Sequence, residues 1–151
     1  MKNSLLLSIN IGLLLSYIFT YYCHGQIVSY TKDLSKELMV KYNRIKKERI
    51  KHFNAGILLA LIISYIFYLK APQEMSQFQK INIIVTIILL LPMVVYKLLP
   101  KSDNMLNYSQ TEEDYKDWFN IYLCMKNKSM YGFLCGFTVS IMILSLMEVD
   151  S

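Results

Sequence analysis

Four stretches of this chain, Leu5 to Tyr22, Phe53 to Leu69, Ile81 to Tyr96 and Ser129 to Met147, contain no Asp, Glu, Lys, Arg or His. Uncharged blocks of that length leave no face for water, so they are expected to lie in hydrocarbon rather than to form one side of a soluble helix. A helix that crosses the hydrocarbon core takes roughly 20 apolar residues, with about 17 as the lower bound. The third block reaches that length by taking in Leu98 and Leu99 while Lys97 extends its ammonium to the headgroups. Hydrophobic residues make up 54% of the chain, above the usual share for a soluble domain. The expectation is an all-α membrane protein, one membrane domain over residues 1–151, with four transmembrane helices at about 5–22, 53–69, 81–99 and 129–147. The first block also has the look of a signal peptide, with Lys2 ahead of it and Cys23-His24-Gly25 behind, and is expected to be retained as a signal anchor.

The charge map sets the topology. Thirteen of the 16 Lys and Arg residues fall in the connections Tyr22 to His52 and Lys97 to Lys128, against Lys2, Lys70 and Lys80 at the other end. Basic residues near spans stay on the cytosolic side, so both long connections should share that side and both termini the opposite one. That side is expected to be reducing, which argues against a Cys23–Cys124 disulfide. The sequons at Asn107 and Asn127 lie in the same connection and are expected to be unmodified.

Both connections read as amphipathic helical extensions, at about 27–52 and 111–128. In the first, Ile27, Tyr30, Leu34, Leu38, Tyr42 and Ile45 recur at helical spacing, and no Pro interrupts them. It should run unbroken into the second span as one rod from Ile27 to Leu69, on the order of 60 Å long. In the second, Thr111 is the expected N-cap ahead of Glu112, Glu113 and Asp114. Tyr115, Trp118, Phe119 and Tyr122 follow as an aromatic stripe assigned to packing. The basic stretch Arg44, Lys46, Lys47, Arg49 and Lys51 and the acidic Glu112, Glu113 and Asp114 have complementary charge. Together with Trp118 they are the expected partner-recognition residues.

Candidate chemistry is sparse. The spans carry no ionisable residue of the kind that marks an ion or proton path. His24 and His52 belong at the interface, and neither they nor Cys23, Cys124 and Cys135 stand at metal-ligand spacing. Cys135 is expected to be a small packing residue, and Pro92 to kink or loosen the third span. Gly132 and Gly136 form a GxxxG that is expected to let two spans approach closely. No catalytic residue, cofactor or metal site is expected, and no nucleic acid.

The segment Tyr42-Asn43-Arg44-Ile45-Lys46-Lys47-Glu48-Arg49, with Phe53 and Gly56 beyond it, resembles a pattern in small multi-spanning virion membrane proteins of nucleocytoplasmic large DNA viruses. Cys124-Met125-Lys126 to Met130-Tyr131-Gly132-Phe133 resembles the entry to a later span in those proteins. The resemblance covers about a third of the chain. It implies a structural protein of the inner membrane beneath a capsid, whose partners are lipids, neighbouring copies and minor capsid proteins. The alternatives are an accessory subunit of a membrane enzyme complex, for example a respiratory one in an organelle membrane, and, third, a channel or transporter.

Overall fold

The computed structural model describes residues 2–32, 34–108 and 111–149, with side chains described within 4–143. The order is α1 (Lys2–Tyr21), α2 (His24–Lys32), α3 (Lys36–Lys70), α4 (Gln77–Leu98) and α5 (Glu112–Val149), with a 3-10 turn at Met105–Tyr108 before α5. The described residues contain no strand. Three helical stretches are long and apolar enough to cross a membrane: Ser4–Lys32, Lys36–Lys70 and Gln77–Leu98. The expected fourth span, Ser129–Met147, lies within α5, and its side chains from residue 144 onward fall outside the described set.

Local chemistry accounts for the helix ends. The expected unbroken rod from Ile27 to Leu69 does not form, because the helix stops at Lys32 and restarts at Lys36. Ser35 caps the new start in an extended conformation (φ −61°, ψ 157°), its hydroxyl accepting the Leu38 N–H at 3.3 Å. A side chain that takes a backbone donor in this way favours a fresh N-terminus over continuation. At α4, Ser76 and Gln79 satisfy each other's backbone N–H groups, both at 3.2 Å. The cap expected at Thr111 is present, with its hydroxyl accepting the Asp114 N–H at 3.1 Å and the Asp114 carboxylate accepting the Thr111 N–H at 3.2 Å. From there α5 runs for 38 residues, roughly 57 Å at 1.5 Å per residue.

Helix α1 lies antiparallel to α5, α3 lies antiparallel to α4, and α1 joins the two pairs through α4. The α1–α5 seam is a backbone contact. A Cβ on Gly132 would sit 2.6 Å from the Leu15 carbonyl oxygen, and one on Gly136 3.0 Å from the Gly12 Cα. The α3–α4 seam uses Gly56, Ala60 and Ser64, four residues apart on one face and all buried. A Cβ on Gly56 would meet the Pro92 Cα at 2.6 Å. Helix α4 continues through Pro92, which the tight contact with α3 buries. Cys135, expected to pack inside, is exposed.

Polar side chains tie the bundle crosswise. Asn10 Nδ2 donates to the Asn82 carbonyl at 3.0 Å, while its Oδ1 accepts from the Thr86 hydroxyl at 2.8 Å. Tyr17 donates to the Leu89 carbonyl at 2.9 Å, and the Ser16 and Ser129 hydroxyls meet at 2.6 Å. In an apolar medium such groups gain more from each other than from the solvent, which makes them specific glue between helices.

Overpacking predicts a ranking among glycine variants. Gly132→Ala and Gly56→Ala should each destabilise the protein in detergent by about 1–3 kcal/mol, because backbone atoms must move. Gly25→Ala, where nothing lies within 4 Å of the new Cβ, should change stability by less than about 0.5 kcal/mol. Thermal unfolding of the three variants checks the order.

Candidate functional site

Outside the apolar stretches, α2, the first turns of α3, the connection after α4 and the first half of α5 gather into a stalk at one end of the bundle. Its base is covalent. Cys23 and Cys124 form a disulfide with their Cα atoms 6.2 Å apart, contrary to the expectation of free thiols. The register of α1 against α5 explains it: with Ser16 opposite Ser129, the last turn of α1 and the two residues after it, and five residues back along α5, bring the cysteines together.

Trp118 is the centre of the stalk, its ring 5.5 Å from that of Tyr30 on α2 and 6.4 Å from that of Tyr42 on α3. Burial raises the pKa of both tyrosines above the usual phenol value, and Asp114 and Asp117 add to the effect at Tyr30. The rest of the aromatic stripe turns outward. Tyr115, Phe119 and Tyr122 are 48%, 40% and 52% exposed, with neighbouring ring centroids 6.1 and 6.5 Å apart. The stripe is therefore divided, with Trp118 packed and three rings presented to the surroundings.

A second knot holds the α4–α5 connection to α3. Arg44 pairs with Asp103 at 3.0 Å, Tyr108 donates to the same carboxylate, and Asn107 donates to it at 3.1 Å. Arg49 donates to the Asp103 carbonyl. Glu48 accepts from the Ser102 N–H at 2.8 Å and from its hydroxyl, and these bonds lower the Glu48 pKa. The Tyr108 hydroxyl, with help from Asn107, the Asn104 N–H and Arg44, holds the Asp103 carboxyl down at about 2. Lys41 lies 4.5 Å above the Tyr108 ring. Arg49 Nη1 and His52 Nδ1, beside the knot, are buried without a protein partner.

The expected recognition residues thus separate into groups. Arg44 and Arg49 are engaged within the chain, whereas Lys46, Lys47 and Lys51 are exposed. Glu112, Glu113 and Asp114 cap the start of α5, and Glu112 pairs with Lys116 at 2.8 Å. Among the described residues no ion pair links them to the basic stretch of α3, so the complementary charges do not meet. The partner of Arg44 is Asp103, in the connection between α4 and α5.

No group of three His, Cys, Asp or Glu side chains among the described residues is placed to hold a metal ion. A shallow groove of about 270 Å³ between α2 and α5 is lined by Gln26, Ser29, Tyr30, Asp117, Asn120 and Ile121. It has no base beside a nucleophile and no pair of carboxylates. Comparison of the chain with family models, curated proteins and solved structures gives no match.

Two measurements test the stalk. The bridge closes a loop over a sequence separation of 101, so replacing both cysteines by Ser should cost about 2–4 kcal/mol of stability. Reductant should change the electrophoretic mobility of the unfolded wild-type chain, and equal mobility with and without it would mean free thiols. The Asp103 carboxyl has a lowered folded-state pKa, so its contribution is present above the unfolded value near 4 and is lost as pH falls through about 2. Between pH 4 and pH 2 the wild type should therefore lose more stability in thermal unfolding than Asp103→Asn.

Proposed function

We propose that this chain is a structural membrane protein with four spans, α5 supplying the fourth, that anchors or organises a larger assembly through its stalk. The observation that carries this reading is the exposed ladder Tyr115, Phe119 and Tyr122 beside the acidic start of α5. An aromatic face held on a rigid helix offers large contact area at little entropic cost, the property of an interaction surface rather than of a reaction site. The polar groups within the bundle support the same reading, because Asn10, Asn82, Thr86, Ser16 and Tyr17 are used to bond helix to helix. The preferred setting is the inner membrane of a virion, with minor capsid proteins or neighbouring copies as partners.

The test is a variant with Glu112→Lys, Glu113→Lys and Phe119→Ser. It should insert normally and keep its disulfide, yet lose most of its co-purification with the assembly. Quantitative mass spectrometry of purified virions against purified respiratory complexes should place the wild type in the former. Proteoliposomes holding the wild type should show no ion or solute flux above the lipid background. Normal assembly of the variant, or robust flux, overturns the anchor reading.

A further inference from the structure

In the sequence, thirteen of the 16 basic and eight of the 11 acidic residues fall in the two long connections, a net +5 equal to the formal charge of the whole chain. Within the stalk the two signs separate by height. Trp118 lies beside Tyr42, and α3 and α5 both run towards the bundle from there. Glu112 to Asp117 therefore stand level with the first turns of α3, far from the bundle. The membrane-proximal level is almost purely basic.

That level is fixed by contacts between helices. Glu48 bonds Ser102, and Gly56 meets Pro92, so Lys51 on α3 and Lys97 on α4 fall at one height, with Lys47 and Lys101 one turn further out. Ser16 meets Ser129 while Tyr17 reaches both Leu89 and Phe53, which brings Lys126 and Lys128 on α5 to the same plane. All of these lysines, and Lys46, are exposed, and among the described residues none forms an ion pair, although Lys101 lies 4.9 Å from the Tyr96 ring. The acidic residues at this level are occupied within the chain, Glu48 by Ser102 and Asp103 by Arg44 and Tyr108.

The ring sits where the apolar surface begins. Lys51 precedes Phe53 by two residues, and its side of α3 continues into the exposed Leu58, Ile62 and Tyr65. Tyr22 and Tyr131, 73% and 57% exposed, stand at the same boundary, the depth at which amphipathic aromatic rings settle. An anion that meets this ring while covering the apolar surface below it must carry hydrocarbon chains beneath a negatively charged head.

We propose that the stalk-side boundary of the bundle is a binding surface for anionic phospholipids of its own leaflet, held by the ammonium groups of Lys46, Lys47, Lys51, Lys97, Lys101, Lys126 and Lys128. The inference rests on the membrane-spanning reading and not on the identity of the assembly. Several ammonium groups at one leaflet surface act together on each anionic head, and the effect is screened by salt.

The full-length protein, reconstituted in phosphatidylcholine bilayers, is titrated with spin-labelled phosphatidylglycerol and, separately, with spin-labelled phosphatidylcholine. At low salt the motionally restricted fraction should favour phosphatidylglycerol at least fivefold, and the preference should shrink at 0.5 M salt. Changing the seven lysines to Gln should bring the ratio close to one, changing them to Arg should retain it, and Lys70→Gln with Lys80→Gln should leave it unaltered. Thermal unfolding verifies that each variant is folded. Millimolar inorganic phosphate should not displace the lipid; displacement at equal charge concentration would make this a free-phosphate site and overturn the proposal. A preference surviving in the Gln variant also overturns it. Extraction of the wild type from membranes by alkaline carbonate would remove the spanning reading along with it, whereas a carbonate-resistant protein with no lipid preference refutes the lipid surface alone.

Discussion

The contact between the backbones of α1 and α5 is the constraint from which the remaining geometry follows. Lipid tails are as apolar as Leu, so burying side chains between helices gains little, and association depends on close packing and on hydrogen bonds. Gly12, Gly132 and Gly136 remove the side chains that would hold the helices apart. Once that seam is closed, Ser16 finds Ser129 and Cys23 finds Cys124. α1, fixed on one side, then presents Asn10 and Tyr17 to α4, and α4 carries α3 through the Gly56–Pro92 contact.

The parts of this arrangement that depend on local chemistry were legible in the sequence, and the parts that depend on register were not. Uncharged length marked the apolar stretches, and Thr111 followed by acidic residues marked the start of α5. The break at Ser35 was hidden because Leu34 and Leu38 continue the apolar period across it, while the competing cap is a single hydroxyl. Gly56, Ala60 and Ser64 escaped notice as a stripe because only the first is a glycine. The complementary charges misled because opposite sign says nothing about height: α3 and α5 run the same way, and with Trp118 beside Tyr42 this sets Glu112 level with the start of α3 rather than with Lys46 to Lys51. The disulfide was set aside on a compartment argument, although two cysteines on one side of a membrane are those that can meet.

Two kinds of rigidity coexist in the stalk. Trp118 between Tyr30 and Tyr42 is a packed apolar contact that depends little on pH or salt. The knot about Asp103 is electrostatic and directional, since one carboxylate accepts from a guanidinium, a phenol, an amide side chain and a backbone N–H. The first fixes α2, α3 and α5 against one another. The second fastens the connection between α4 and α5 to α3.

The bridge between Cys23 and Cys124 also changes what the chain is as a covalent object. Its ring encloses α2, α3 and α4, leaving only α1 and most of α5 as tails. A single backbone cut anywhere inside the ring opens it without releasing a fragment, and the α1–α5 seam keeps the severed halves in register. The α2–α3 and α4–α5 connections on the stalk side, and the short turn between α3 and α4 at the other end, lie within that ring. A protease cutting any of these three segments would therefore nick the molecule without dismantling it, unless a reductant acted as well.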